Sequence, residues 1–365
     1  MAAYELLQEA GRLEESLGAL GDADALALDT EFVREKTYYP RLCLVQVAAD
    51  DRILLVDALA LEDLTRLSER LGRAGTVKIL HAARQDVEVL LPVTGKPPAP
   101  LLDTQVAAGL LGFAPQVGYA DLVRQVLEIE LAKGHARTNW AARPLRDEQL
   151  DYAADDVRYL RPLAQALRDR LQDAGRLHWL EEDCAALTDP ALYRNDPESA
   201  WKRLKGLDRM LPPERAAVRA LADWRERRAM RRNLPRGWVL SDDALREIAR
   251  RRPGSRDALA RDARLSHAAA ARLGDEILEV LAAARVTEED EAAATTALDR
   301  LTPSQLEQSR RLQAALQTTA REFELSAEVL ATRRDLTAIL RGARAVPPLS
   351  GWRREVVGEA LLAAL

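Results

Sequence analysis

The tightest constraint on the fold is a short stretch near the N-terminus, Leu26-Ala27-Leu28-Asp29-Thr30-Glu31-Phe32. Ala25 to Leu28 is an apolar run after an acidic, polar segment, which predicts a buried strand. Alternate residues of a strand share a face, so Asp29 and Glu31 would converge on one point. Two carboxylates on an apolar strand repel each other and lose hydration unless a cation sits between them. Hard oxygen donors at this spacing suit Mg²⁺ or Mn²⁺. A plainer alternative stays open here: Asp29 starts a turn and Glu31 is solvated.

Around this stretch the pattern predicts a helix over Met1 to Gly18 and a strand over Ala25 to Glu31. A hairpin follows, from Leu42–Ala48 to Ile53–Val56 through Asp50-Asp51, making a three-stranded meander. Helical periodicity covers Leu59–Arg73, a strand Val77–Leu80, and helices Ala83–Leu91, Asp103–Leu111 and Tyr119–Leu127. Gly134–Arg146 reads as irregular and basic, and Gln149–Ala174 as one long helix kinked near Pro162. Strands first in a meander, then alternating with helices, imply a mixed sheet with helices on both faces.

Asp189 to Pro197 has the composition of a linker, and everything after it is helical. Leu211-Pro212-Pro213-Glu214 is echoed by Leu301-Thr302-Pro303-Ser304, and Trp238-Val239-Leu240 by Glu328-Val329-Leu330, both 90 residues later. Two small helical domains in tandem account for this, with chance similarity of amphipathic helices as the alternative. The expected boundaries are 1–189, 198–288 and 295–365. The net charge of −5 is distributed as −12 over residues 1–199, +10 over 200–264 and −3 over 265–365. An acidic first part beside a basic centre suits a metal-loaded catalytic domain next to a phosphate-binding one. Cys43 and Cys184 lack metal-ligand spacing and form no disulfide framework. No signal peptide and no membrane-spanning run is found, so a cytoplasmic location is expected.

Two further carboxylates complete a set. Asp86 falls in the first turn of the helix after Val77–Leu80, where it also complements the helix dipole. Tyr152 and Asp156 stand four apart on the long helix and share a face. The ordered set Asp29-x-Glu31, Asp86, Tyr152-x-x-x-Asp156 resembles the exonuclease motifs of the Asp-Glu-Asp-Asp superfamily of 3′-to-5′ exonucleases, in its tyrosine subtype. Leu28-Asp29-Thr30-Glu31-Phe32-Val33-Arg34 with Thr37-Tyr38-Tyr39-Pro40 resembles the bacterial ribonuclease D family. So do His81-Ala82-Ala83-Arg84-Gln85-Asp86 and Asn139-Trp140 with Arg143-Pro144-Leu145. Trp238-Val239-Leu240-Ser241-Asp242 resembles the core of its helicase-and-RNase-D C-terminal (HRDC) domain. Thr138-Asn139 stands where Ser-Asp is usual, and Asp155-Asp156 doubles the last motif; only Asp156 is four from Tyr152. The histidine subtype, suggested by His81 and Asp86, lacks its intervening Asp motif.

The resemblance implies an α/β exonuclease domain with a ribonuclease H-like mixed sheet, followed by two all-α HRDC-type domains, the second divergent. It implies a 3′-5′ exoribonuclease that uses two divalent ions, Mg²⁺ or Mn²⁺, held by Asp29, Glu31, Asp86 and Asp156. It implies too that Tyr152 would orient the attacking water. The expected partners are single-stranded RNA 3′ ends and tRNA precursors, the product a nucleoside 5′-monophosphate, and the state a monomer. Arg34, Tyr38, His81, Lys133, Trp140 and Arg143 are candidate RNA contacts, with packing and solvated charge as the plain alternatives. Arg228, Arg231 and Arg232, from the arginine cluster of the first helical repeat, are candidates of the same kind. A DNA-directed exonuclease and a catalytically silent RNA-binding scaffold are the rival readings.

Overall fold

The structure is a computed structural model that describes residues 4–131, 138–207, 210–262, 265–291 and 302–365. The chain divides into two units, one of Met1–Val33, Arg41–Tyr193 and Pro303–Leu365, the other of Arg34–Pro40 and Arg194–Thr302.

The first unit is built on a six-stranded sheet of order β1-β4-β3-β2-β5-β6. Its strands are β1 (Tyr4–Leu7), β2 (Ala25–Val33), β3 (Arg41–Ala49), β4 (Arg52–Asp57), β5 (Val77–Leu80) and β6 (Leu101–Asp103). Only β3 runs against the others. β2 is central, with Asp29 opposite Gln46 of β3 and Ala27 opposite Ile79 of β5. Strand alternation sorts β2 between two cores. Leu26 and Leu28 pack with α1 (Ala10–Gly18), α2 (Thr65–Leu71) and α3 (Arg84–Thr94). Ala27, and with it the face of Asp29 and Glu31, looks to the other layer. That layer holds α4 (Thr104–Leu110), α5 (Tyr119–Leu127), α6 (Asp147–Arg158), α7 (Leu160–Asp173) and α8 (Leu177–Ala186).

Several elements differ from expectation. Tyr4–Leu7 is a strand and not the start of a helix, because it pairs in parallel with β4. The helix expected over Leu59–Arg73 is confined to Thr65–Leu71, where Asp63 caps the Thr65 amide at 2.8 Å. β6 and α8 are additional to the expected elements. The long helix breaks at Tyr159 into α6 and α7. Pro162 has no amide for a bond to Arg158, so the break leaves it in a first turn, where none is needed. The Tyr119 hydroxyl enters the gap, donating to Asp155 O at 3.0 Å and accepting from Tyr159 N at 3.2 Å. It replaces the helical bond those two groups would otherwise share.

Pro303–Leu365 contributes α14 (Pro303–Glu322), α15 (Ala327–Leu330), α16 (Arg333–Leu340) and a closing helical stretch from Gly351 to Ala363. These helices share their core with α4–α8. Trp352, 1% exposed, stacks on Trp179 at 4.4 Å between ring centres, and its indole nitrogen donates to Asp183 at 3.1 Å. Arg353 holds the same carboxylate with two bonds, at 2.6 and 2.9 Å.

The second unit has its own core around α9 (Pro212–Arg232), α10 (Arg236–Val239), α11 (Asp242–Arg251), α12 (Arg256–Asp262) and α13 (His267–Ala283). Its central apolar positions are Val218, Leu221, Leu245, Ile248 and Ile277. Among the described residues no helix is long and apolar enough to cross a membrane.

Candidate active site

The carboxyl end of β2 and one face of α6 meet at a group of acids. One carboxylate oxygen from each of Asp29, Glu31 and Asp156 lies within 4.8 Å of the others. Parallel pairing of β2 with β5 brings the turn after β5, and so the first turn of α3, beside them. Asp86 stands there, 7% exposed, and accepts a 2.6 Å hydrogen bond from Thr30. It lies outside the close group of three, yet its charge is felt by Asp29 and Glu31. The turn is fixed by Asp103, whose carboxylate receives the amides of Ala82 and Ala83 at 3.0 and 2.8 Å.

Burial, then the charges of Asp86, Asp156 and Glu31, holds Asp29 well above the usual carboxylate range. Burial, then Asp156 and Asp86, pushes Glu31 up to about 9. Asp86 and Asp156 are each raised to about 7, mainly by burial, against the hydrogen bonds from Thr30 and Tyr152. Four acids that resist ionisation in one place are a poor arrangement for a fold and a good one for cations. The donors are all hard oxygens, which fits Mg²⁺ or Mn²⁺ and not a thiolate-seeking metal.

Tyr152 lies one turn before Asp156 and hydrogen-bonds to its carboxylate. Burial and the surrounding carboxylates push its own pKa far up, so it stays a phenol. Trp140 is 2% exposed, 6.3 Å from the Tyr152 ring between centres. Its buried N–H has no well-formed hydrogen bond but lies close enough to Glu31 to favour that carboxylate's charged form. It is a wall of the site, not an exposed stacking platform.

The other expected RNA contacts have the following places in the structure. Arg143 grips Asp57 at 2.7 and 2.6 Å and also donates to the carbonyls of Trp140, Ala142 and Cys43. It ties down the Trp140 segment, and its donors are spent. Both His81 nitrogens bond within the protein, to Thr104 Oγ1 and Val117 O at 2.9 Å each. Its pKa is lowered by burial, so it is a neutral strand-end histidine. Tyr38 is 8% exposed in the second unit, where its hydroxyl donates to Glu226 and Arg236 lies over its ring. Arg228 is bound to Glu276 at 2.6 Å. Arg34, Arg231 and Arg232 are exposed. Lys133 lies outside the described residues.

The sequence pattern alone does not single out Thr30, Gln46, Asp103 or Tyr119. Gln46 carries a signal as the one polar side chain within Leu42–Ala48; it is fully buried, 3.5 Å from Asp29. Asp103 directly precedes a helix, the usual mark of a cap. Tyr119 carries no signal, because its role depends on a break 40 residues away.

The chain matches the 3′-5′ exonuclease family over residues 4–172 and the HRDC domain family over residues 214–281. It is 42% identical to ribonuclease D of Gluconacetobacter diazotrophicus over 351 residues, covering 93% of this chain and 86% of that one. It is 36% identical to ribonuclease D of Zymomonas mobilis, covering 100% and 95%. The crystal structure of Escherichia coli RNase D matches with a TM-score of 0.89 at 32% identity, over 100% of this chain and 98% of that one. The chain belongs to the ribonuclease D family of 3′-5′ exoribonucleases.

Proposed function

We propose that the chain trims single-stranded RNA 3′ ends, tRNA precursors among them, to nucleoside 5′-monophosphates, acting as a cytoplasmic monomer. Asp29, Glu31, Asp86 and Asp156 hold two divalent ions, Mg²⁺ or Mn²⁺. The observation that carries this reading is the convergence of Asp29, Glu31 and Asp156 within 4.8 Å, with Asp86 beside them. The E. coli neighbour, an exoribonuclease involved in structured RNA processing, supports the substrate class.

Divalent ions bound there polarise the scissile phosphate and make water a stronger acid. Tyr152, kept protonated, orients the water through its hydroxyl. Thr30 fixes the Asp86 carboxylate, and Trp140 closes the site on the Glu31 side. Arg34, Lys133, Arg231 and Arg232 are the candidates for phosphate contact. Residues 1–189 form the catalytic module, 198–288 an HRDC domain and 295–365 a divergent copy of it.

The test is nucleotide release from matched RNA and DNA oligonucleotides, with and without Mg²⁺ or Mn²⁺, by wild type, Asp29→Ala and Asp156→Asn. Metal-dependent release from RNA that both variants abolish is expected. Either variant keeping most of the wild-type rate would remove the assignment of the ligands.

A further inference from the structure

Most arginines of α9 and α10 already hold partners inside the second unit. Arg236 binds Glu226, Arg219 binds Asp290, Arg225 binds Asp242, Arg227 binds Asp223 and Arg228 binds Glu276. Helix α16, in the first unit, departs from this habit. Arg333, Arg334 and Arg341 are exposed, and among the described residues none of them has a carboxylate in ion-pair range. The acidic side chain in the same turn, Asp335, is committed elsewhere. It accepts from the Thr332 hydroxyl at 2.6 Å and the Thr332 amide at 2.9 Å. The three arginines line a shallow cavity of about 650 Å³ whose other walls, Thr337, Ala338 and Ala343, carry no charge.

Helical spacing explains why these side chains meet, since residues 334, 338 and 341, and 333, 337 and 341, fall on one face. It does not explain why they are arginines. Cations in a first turn face the positive end of the helix dipole, so the helix gains nothing from Arg333 and Arg334 there. Three exposed guanidinium groups, without an ion pair among the described residues, make a strongly positive concave surface around one hollow, which concentrates anions. Their planar forks match phosphate oxygens two at a time.

We propose that this hollow is an anchoring site for the phosphate backbone of RNA, taking up to three phosphodiester groups. The inference rests on the proposed action on RNA and adds a grip on the RNA body from the helices of Pro303–Leu365, separate from the exposed arginines of α9.

The test places Arg333→Glu, Arg334→Glu and Arg341→Glu together in the full chain and measures binding of a long single-stranded RNA across salt concentrations, without divalent ions. Each phosphate contact contributes about 0.7 to the slope of log affinity against log salt for a single strand, so the slope should flatten by about 2. Affinity at low salt should fall about tenfold or more. Glutamate suits the first turn better than arginine at 333 and 334 but opposes the dipole at the C-cap position 341, so the two effects offset and the melting temperature should change little. Should the triple variant unfold, Arg→Gln at the same positions replaces it and is judged by the same slope. Release of nucleotides from a trinucleotide by the variant should keep the wild-type rate. An unchanged slope with normal release overturns the anchoring site alone. A flattened slope in a chain whose wild type releases no nucleotide from any RNA would uphold the anion site and overturn the proposed function.

Discussion

Raising the pH should destabilise the metal-free protein through its acidic site, and replacing Glu31 by Gln isolates the effect. Burial and the neighbouring carboxylates hold Glu31 at about 9 in the folded state. In the unfolded chain the same group titrates near ~4.3. Between pH 5 and 7 the folded protein therefore keeps a proton that the unfolded chain has released, and rising pH favours unfolding. The stability is fully present below the unfolded value and is lost progressively until the pH passes the folded one. One retained proton is worth about 1.36 kcal/mol per pH unit, so the window of two units removes up to about 3 kcal/mol. Solvent reaching the part-exposed carboxylate reduces this to about 1–3 kcal/mol. Glu31→Gln has no such proton, so its advantage over wild type should grow by that amount from pH 5 to 7. Ordinary ion pairs such as Asp57–Arg143, whose carboxylate is lowered, act in the opposite sense and cancel in the comparison. Bound divalent ions hold the acids ionised, so Mg²⁺ should stabilise wild type more at pH 7 than at pH 5. Urea unfolding in EDTA and in Mg²⁺ at both pH values measures all of this. A variant advantage that stays constant with pH, together with an Mg²⁺ effect that does not grow, would refute the reasoning.

Three further outcomes are expected. Tyr152→Phe should slow nucleotide release by roughly 10²–10⁴-fold while calorimetry still shows ion binding, and loss of ion binding would mark the tyrosine as structural. Tyr119→Phe removes the hydroxyl that serves Asp155 O and Tyr159 N, so unfolding should cost about 1–3 kcal/mol less, and unchanged stability would mean the helix ends satisfy themselves. Trp352→Ala strips the stacked partner of Trp179 and should cost about 3–5 kcal/mol in urea unfolding; a loss below about 1 kcal/mol would show that other contacts seat the C-terminal helices.

The parts of the site legible in the sequence are those whose geometry is local. Asp29 and Glu31 share a face because a strand repeats every two residues, and Tyr152 and Asp156 share one because a helix repeats every 3.6. What stays hidden depends on distant partners. Tyr4–Leu7 becomes a strand only because β4 offers it an edge, and Leu101–Asp103 is too short to show alternation at all. Proline chemistry places the helix break near Pro162, but the hydroxyl that fills it comes from Tyr119.

Charge is the property for which sequence counting and spatial arrangement diverge most. The surplus of +10 over residues 200–264 suggests a stripe open to phosphate. Folding draws in carboxylates from both sides of that window and from within it. Glu276, beyond its end, takes Arg228, and Asp290 takes Arg219. Glu198, before its start, lies 3.7 Å from Arg227. An arginine held by a carboxylate contributes little to an outside polyanion, because the pair is nearly neutral at the distance of a phosphate. The weakly charged C-terminal stretch, at −3, nonetheless exposes Arg333, Arg334 and Arg341 around one hollow. On the proposed anchoring site, affinity for RNA would follow which cations converge without a carboxylate partner, and net charge by segment is a poor guide to that arrangement.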